Sequence, residues 1–306
     1  MVSVGIDVSK AKISCAYKGQ VREFVNGEAG FGQLEAWAQD AATWCMEATG
    51  RYHDALARFA FNLGRRCLVV NPGQAKKYLG FVAGRSKTDK VDALGLARLA
   101  EQEGENLRAY KPVPEQIVNA RDVLVRRRAL VESRVSLRQV ADEVGDPSGH
   151  LKAAVAEIEA ACKALDKELE TSLKGYCGYE HLLSIPGIGP VSASLLVCAL
   201  ERGEFETSDS LVAFAGLDPR ASDSGNKRGK RRLSHHGDAQ LRSALFMAAR
   251  AGARLQIWKP YYESQLAKGL SSTEATVILS RKLTRVAWSV YKQNSPFVDK
   301  RLDSQT

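Results

Sequence analysis

The chain has 306 residues, which is enough for two domains, or for two domains joined by a helical spacer. Its 44% hydrophobic and 26% charged residues are typical of a globular protein and exclude an intrinsically disordered one. The net charge of +9 favours a polyanionic partner such as nucleic acid or an acidic membrane surface. From Arg220 to Lys259 there are ten Lys or Arg and two Asp, which leaves +8 in one stretch. Because aromatic residues make up only 7%, we expect phosphate contacts rather than base stacking.

The six cysteines are scattered without a Cys-x-x-Cys pair. This spacing argues against a zinc site and is typical of reduced thiols that fill a core. The N-terminus lacks a basic region followed by a long apolar run, so it does not predict a signal peptide. The longest apolar window, 182–200, is interrupted by Pro-Gly-Ile-Gly-Pro and does not predict a membrane span. We therefore expect a soluble, cytoplasmic protein with no membrane partner.

Residues 1–110 alternate strand and helix patterns. Strands are predicted at 2–7, 12–17, 20–25, 43–47 and 66–71, and helices at 31–39, 53–62, 74–82 and 89–102. The first three strands are closely spaced, which favours an antiparallel meander. The order βββαβαβα predicts a mixed sheet covered by helices.

The rest of the chain is predicted to be mostly helical. Pro112 and Pro114 mark a boundary, after which apolar residues recur at helical spacing to about residue 174. Gly145-Asp146-Pro147 breaks this pattern, which predicts two long helices joined by a turn. They form either an antiparallel coiled-coil arm, our prediction, or a pair of ordinary bundle helices. The predicted domains are 1–110 (α/β), 111–175 (arm) and 176–306 (mostly helical).

Four acidic residues lie where predicted strands end or helices begin. Asp7 and Glu47 end the first and fourth strands, while Asp89 and Asp92 are three apart at a helix start and share one helical face. Each acid alone is also explained as a turn former, a helix cap or a solvated charge. Together, on this pattern of elements, they favour a site for two Mg²⁺ ions, which prefer carboxylate oxygens.

The motifs around these acids resemble the DEDD transposases, the recombinases of the insertion sequence 110 family, which includes the Piv-type DNA invertases. The motifs are Gly5-Ile-Asp-Val-Ser-Lys10, Glu47-Ala-Thr-Gly50, Val70-Asn-Pro72 and Lys87-Thr-Asp-Lys-Val-Asp-Ala93. The resemblance extends through Leu124-Val-Arg-Arg-Arg-Ala-Leu-Val131 and the C-terminal domain, so it covers nearly the whole chain. It implies an N-terminal domain like that of the Holliday-junction resolvase RuvC, which has an RNase H-like fold, with Asp7, Glu47, Asp89 and Asp92 as the metal-binding tetrad.

Basic residues beside the acids and a glycine-rich turn are candidate phosphate contacts. Lys10 and Lys87 flank the acids, although solvated lysines would look the same. The segment 183–193 predicts a helix-hairpin-helix, in which Gly187 and Gly189 offer backbone N–H groups to DNA phosphate. The alternative is a tight corner between two helices that binds no ligand.

A serine followed by glycine and a basic loop resembles the C-terminal transposase domain of the same family. The match falls on Ser224, directly before Gly225, and Ser222 is the alternative. The resemblance implies that this serine is the nucleophile that forms a covalent phosphoserine bond with DNA. This chain has His235 and His236 where the family usually has Lys-Arg. The predicted nucleic-acid contacts in and after the loop are Lys227, Arg228, Lys230, Arg231, Arg232 and Arg242.

The sequence therefore predicts a mobile-element recombinase that cuts and rejoins donor and target DNA. The main alternative is a hydrolytic junction-resolving nuclease, which would need the acids but not the serine. A sugar kinase or ATPase of the actin type is disfavoured, since no second phosphate motif follows Gly5-Ile-Asp-Val-Ser-Lys10. A binding protein with decayed acids is disfavoured because all four acids stand in matching contexts. The resemblance further implies a noncoding guide RNA and a homo-oligomer, a dimer or tetramer, whose arms make contacts between subunits.

Overall fold

The computed structural model describes residues 2–48, 50–82, 89–220, 232–234 and 236–299. The chain divides into two compact units, Met1–Pro112 and Val113–Thr306. The finer division at residues 110 and 175 stays a prediction. Within the described ranges, no helix is both long and apolar enough to cross a membrane.

The first unit is a five-stranded mixed sheet with helices. Its elements are β1 (Ser3–Val8), β2 (Lys12–Tyr17), β3 (Gln20–Val25), α1 (Glu28–Trp37), β4 (Thr43–Glu47), α2 (Asp54–Asn62), β5 (Arg66–Val70), α3 (Pro72–Val82) and α4 (Asp89–Glu103). The strand order is β3-β2-β1-β4-β5. The first three strands pair antiparallel, whereas β1, β4 and β5 run parallel. The predicted mixed sheet is thus confirmed, and it fits a RuvC-like α/β domain.

The two faces of this sheet carry different side chains. Ile6 and Met46 lie on one face, in a core that includes Phe31 of α1 and Leu56 of α2. Cys45 belongs to a second core, on the other face, built mainly with residues of β5 and α4. Since side chains alternate along a strand, every second residue of β1 and β4 faces α4.

The first helix begins earlier than the hydrophobic pattern indicated. It starts at Glu28 rather than Phe31, directly after Gly27, whose backbone is extended. The prediction followed the buried residues Phe31 and Leu34 and so missed the start of the helix, where Glu28 and Ala29 are exposed. The other element boundaries of this unit lie within two residues of their predictions.

Gly5 lets α4 lie directly on β1. A Cβ built at Gly5 would lie 2.0 Å from the carbonyl oxygen of Ala93 and 2.1 Å from the backbone nitrogen of Ala97. Both are backbone atoms of α4, so no side-chain rotation could relieve the clash. The absence of a side chain at residue 5 therefore sets how closely the helix approaches the strand.

The second unit is mostly helical. Its helices are α5 (Glu115–Val144), α6 (His150–Leu173), α7 (Cys177–Leu183), α8 (Pro190–Arg202), α9 (Ser208–Phe214), α10 (Ala239–Gly252), α11 (Lys259–Leu266) and α12 (Ser272–Gln293). A two-stranded ribbon, β6 (Pro219–Arg220) with β7 (Arg232–Leu233), lies between α9 and α10. Leu196 of α8 and Leu283 of α12 are fully buried in its core.

Helices α5 and α6 form an antiparallel hairpin. Ion pairs link the two helices, with Arg126 Nη2 at 2.9 Å from Glu168 Oε1 and Arg138 Nη2 at 2.5 Å from Glu159 Oε1. The root of the hairpin belongs to the core of the unit through Leu124 and other residues, whereas no residue from 125 to 161 is buried. The two predicted helices and their turn are confirmed, and their function as a coiled-coil arm stays a prediction.

We predict that Gly5→Ala lowers the free energy of unfolding by about 3 kcal/mol, because the added methyl group overlaps the α4 backbone. The thermal unfolding midpoint of the full chain should fall by roughly 10 °C. Gly32→Ala is the matched control, since Gly32 lies exposed in α1 and its Cβ would meet nothing within 4 Å. That variant should be unchanged or more stable by up to about 1 kcal/mol. Equal midpoints for the two variants would contradict the proposed close contact.

Candidate functional site

Two of the predicted metal-binding acids lie on neighbouring parallel strands. Ile6 of β1 pairs with Met46 of β4, and continuing that register by one residue sets Asp7 beside Glu47. Adjacent strands are about 4.8 Å apart. Both acids share the face of Gly5 and Cys45, which is the face covered by α4. Each is partly exposed, as expected for a strand end at the edge of a core.

The other two acids lie in the first turn of α4. Asp89 and Asp92 share a helical face with Leu96 and Leu99, which are buried in the core under the sheet. Asp89 is also tied to the end of β1 that carries Asp7, because its Oδ2 lies 3.5 Å from Nζ of Lys12. Lys12 begins β2, directly after the turn that follows β1. The fold therefore brings the four acids to one end of one sheet face.

The carboxylates do not form a closed metal cage. Within the residues that the structure describes, no group of three or more His, Cys, Asp or Glu side chains is arranged to hold an ion. Their chemistry still fits a hard divalent cation, because all four offer carboxylate oxygens from the same end of the sheet. Lys87, the predicted contact beside Asp89, lies outside the described residues, and Lys10 is exposed in the turn after β1.

Sequence reasoning missed a charged pair on the acid face. Lys12 Nζ lies 2.9 Å from Oε1 of Glu23, and the pKa of Lys12 is raised, first by this hydrogen bond and then by the nearby carboxylates. The same contact lowers the pKa of Glu23. Ser14 pairs with both Asp7 and Glu23, so the hairpin register places these residues on one face. The alternation along β2 was the available signal, but it needed the strand pairing to be known.

Asn26 was also missed, and it connects the two segments that follow Asp7 and Glu47. Its side-chain amide donates to the carbonyl oxygen of Ser9 at 2.8 Å and to that of Tyr52 at 3.2 Å. One amide group thus holds the loop after β1 near the loop after β4. Nothing in the local pattern around Asn26 indicates this, because its partners lie 17 and 26 residues away.

The predicted helix-hairpin-helix lies at the start of α8. Gly189 is the exposed N-cap of α8 and has no side chain to satisfy the first N–H groups. Gly187 has a positive φ of 95°, and its Cβ would lie 3.1 Å from the carbonyl oxygen of Ala248 in α10. Gly187 is therefore required by the turn and by packing on α10. Phosphate binding by these two glycines stays a prediction.

The predicted nucleophile loop lies between the strands of the β6–β7 ribbon. Ser222, Ser224, His235 and the basic residues from Lys227 to Arg231 lie outside the described residues. The ends of the loop are described: Arg220 pairs with Arg232, and the hydroxyl of Ser234 donates to a carboxylate oxygen of Asp218.

Arg242 has a structural contact. Its Nη1 donates to the carbonyl oxygen of Ala215 at 3.1 Å, which links α10 to the end of α9. Its nucleic-acid contact stays a prediction, and any DNA phosphate would bind the remaining N–H groups of the guanidinium.

Two protein-family models match the chain. A model described as "Transposase", of the DEDD IS110 type, matches residues 4–144 and includes all four acids. A second, described as "Transposase IS116/IS110/IS902 family", matches residues 179–263 and includes Ser222 and Ser224. Together they cover more than half of the chain.

Three curated relatives match this chain over most of their length. The pilin gene-inverting protein of Moraxella bovis is 28% identical, over 98% of this chain and 98% of the relative. A probable family 20 transposase of Pseudomonas aeruginosa is 25% identical, over 82% of this chain and 84% of the relative. The transposase for insertion sequence element IS1328 of Yersinia enterocolitica is 26% identical, over 82% of this chain and 84% of the relative. With both family models in agreement, the chain belongs to the IS110 family of DEDD transposases and is a DNA transposase or recombinase.

Proposed function

We propose that this enzyme exchanges DNA strands by using Asp7, Glu47, Asp89 and Asp92 to hold Mg²⁺ and Ser224 to attack DNA. The observation that carries the proposal is the placement of Asp7 beside Glu47, on the sheet face against which α4 presents its first turn. Asp7 and Glu47 are 40 residues apart in sequence, and their adjacency on the sheet supports a shared role. A merely structural role for any one of them would not require this shared face.

The four carboxylates would hold two Mg²⁺ ions. When bound, such ions would neutralise the charge of a phosphodiester and favour deprotonation of a nearby hydroxyl. The acids come from two rigid strand ends and one helix, which keeps their backbones fixed while the side chains adjust. Asn26 supports this arrangement by holding together the segments that follow β1 and β4.

Ser224 would supply the covalent step. Its Oγ attacks phosphorus, a P–O bond to one strand breaks, the serine proton is lost to a base and the departing oxygen gains a proton. The resulting phosphoserine bond keeps the energy of the broken phosphodiester. Attack by the hydroxyl of another strand then releases the serine and joins the strands. The serine-bearing family domain supports rejoining rather than simple hydrolysis.

The basic residues would bind nucleic acid through phosphate. Lys10 and Lys87 lie in sequence beside the acids, and the loop contributes Lys227, Arg228, Lys230, Arg231 and Arg232. Gly187, Gly189 and Arg242 add contacts from the second unit. The net charge of +9 suits DNA and equally the guide RNA that the family resemblance implies. We propose a dimer or tetramer in which the α5–α6 hairpin joins subunits.

We predict that Asp7→Asn and Glu47→Gln each reduce Mg²⁺-dependent DNA cleavage about 100-fold or more, since each removes a charged ligand while keeping the shape of the side chain. Cleavage of element-end DNA measures this, and the thermal midpoint shows that the variants fold. Asp40→Asn is the matched control, because Asp40 pairs with Lys18 at the opposite end of β2. Equal losses in all three variants would contradict the metal site.

We predict a covalent protein–DNA adduct that Ser224→Ala abolishes and Ser222→Ala preserves, because only the attacking hydroxyl forms the phosphoserine bond. Purified protein would be incubated with Mg²⁺, element-end DNA and RNA transcribed from the flank of the element, then denatured and separated by electrophoresis. If Ser224→Ala formed the adduct and Ser222→Ala did not, the nucleophile would be assigned to Ser222 instead. Cleavage without any adduct, lost in Asp7→Asn but not in Ser224→Ala, would indicate a hydrolytic nuclease instead.

A further inference from the structure

Lys12 is the cation that lies between a predicted metal ligand and a second acid. Its Nζ is 3.5 Å from Oδ2 of Asp89 and 2.9 Å from Oε1 of Glu23. All three side chains are about half exposed, so each can move without unfolding the chain. Neither Lys12 nor Glu23 belongs to the DEDD tetrad.

Lys12 and a divalent cation cannot occupy the same place beside Asp89. An ammonium group 3.5 Å from a carboxylate oxygen repels a metal ion that approaches that oxygen. A lysine ammonium group is charged at neutral pH. A cation that binds Asp89 must therefore displace Lys12 or bind against its repulsion.

Glu23 offers Lys12 another partner. The Lys12–Glu23 contact is the shorter of the two, and it is formed within the β2–β3 hairpin, whose register is fixed along the full length of both strands. Because Lys12 can remain paired with Glu23 when it leaves Asp89, moving it costs less than exposing an unpaired charge.

We propose that Lys12 is an internal counter-ion that competes with the divalent cation for Asp89, and that Glu23 lowers the cost of this exchange by retaining Lys12. The proposal rests on the metal site proposed above and assigns two residues that tune its affinity. Without a bound cation, Lys12 offsets the repulsion between Asp89 and the nearby acids. When a cation binds, that role passes to the metal.

We predict that Lys12→Met binds Mn²⁺ about threefold more tightly than the wild type, as expected for an exposed ion pair, and that Glu23→Gln binds it more weakly by a similar factor. The full chain would be titrated with Mn²⁺ at low ionic strength, and the electron paramagnetic resonance signal of free Mn²⁺ would give the Kd. The differences should shrink as salt is added. Lys18→Met, which removes the same charge beside Asp40, should leave the Kd unchanged.

The double variant Lys12→Met/Glu23→Gln distinguishes the proposal from a general effect of charge. If Glu23 acts through Lys12, the double variant should bind Mn²⁺ as Lys12→Met does. If Glu23 acts directly on the cation, its loss should weaken binding even without Lys12, which would overturn its assigned role. Lys12→Gln, measured in parallel, should tighten Mn²⁺ binding as Lys12→Met does. Agreement between the two variants would show that the effect comes from loss of the charge and not from a folding defect in one of them.

The same titration separates failure of this inference from failure of the metal site. Mn²⁺ binding that is absent, or is unaffected by Asp7→Asn, would overturn the metal site itself. A second outcome is that Asp7→Asn weakens Mn²⁺ binding, whereas Lys12→Met and Lys12→Gln leave it unchanged or weaken it. That outcome would overturn the proposed competition but would still support the metal site.

Discussion

The first unit depends on one steric constraint, the contact of α4 with β1 at Gly5. The backbone atoms of Ala93 and Ala97 occupy the space that any side chain at residue 5 would need. This contact fixes the distance between helix and strand. Asp7 is two residues beyond Gly5 on the same face, so packing at Gly5 and the contact of Lys12 with Asp89 together set the position of Asp89 relative to Asp7.

Gathering acids at one end of a sheet creates repulsion that the fold must offset. The cation of the proposed metal site would offset it, and the chain itself supplies a second counter-charge. The β2–β3 hairpin supplies Lys12 on the acid face, where Glu23 pairs with that lysine. Since these groups are exposed, solvent screens much of the remaining repulsion. This charge balance limits the free-energy cost of placing four acids close together. None of the four is buried, so none loses all of its hydration.

Much of the first unit follows from local sequence pattern, and its site follows less completely. Short runs of strand-forming residues and turn residues locate the five strands to within two residues, because four of the strands bury most of their residues. Asp7 and Glu47 could be selected because they end such strands. Lys12 and Asn26 could not, since their importance depends on partners brought close by strand pairing. Ser224 rests on family resemblance alone, because serine before glycine in a polar loop is ordinarily a turn.

The segment after the predicted nucleophile loop shows which part of a family pattern the fold requires. Ser234 binds Asp218 through both its backbone N–H and its hydroxyl, which joins the two ends of the loop. Gly237 approaches the chain so closely that a Cβ would lie 2.2 Å from the carbonyl oxygen of Phe214. His236, between them, is exposed. The serine and glycine are therefore fixed by geometry, whereas His236 has room to differ from the basic residue usual in the family. Substitution there changes the charge offered to nucleic acid without disturbing the junction that closes the loop.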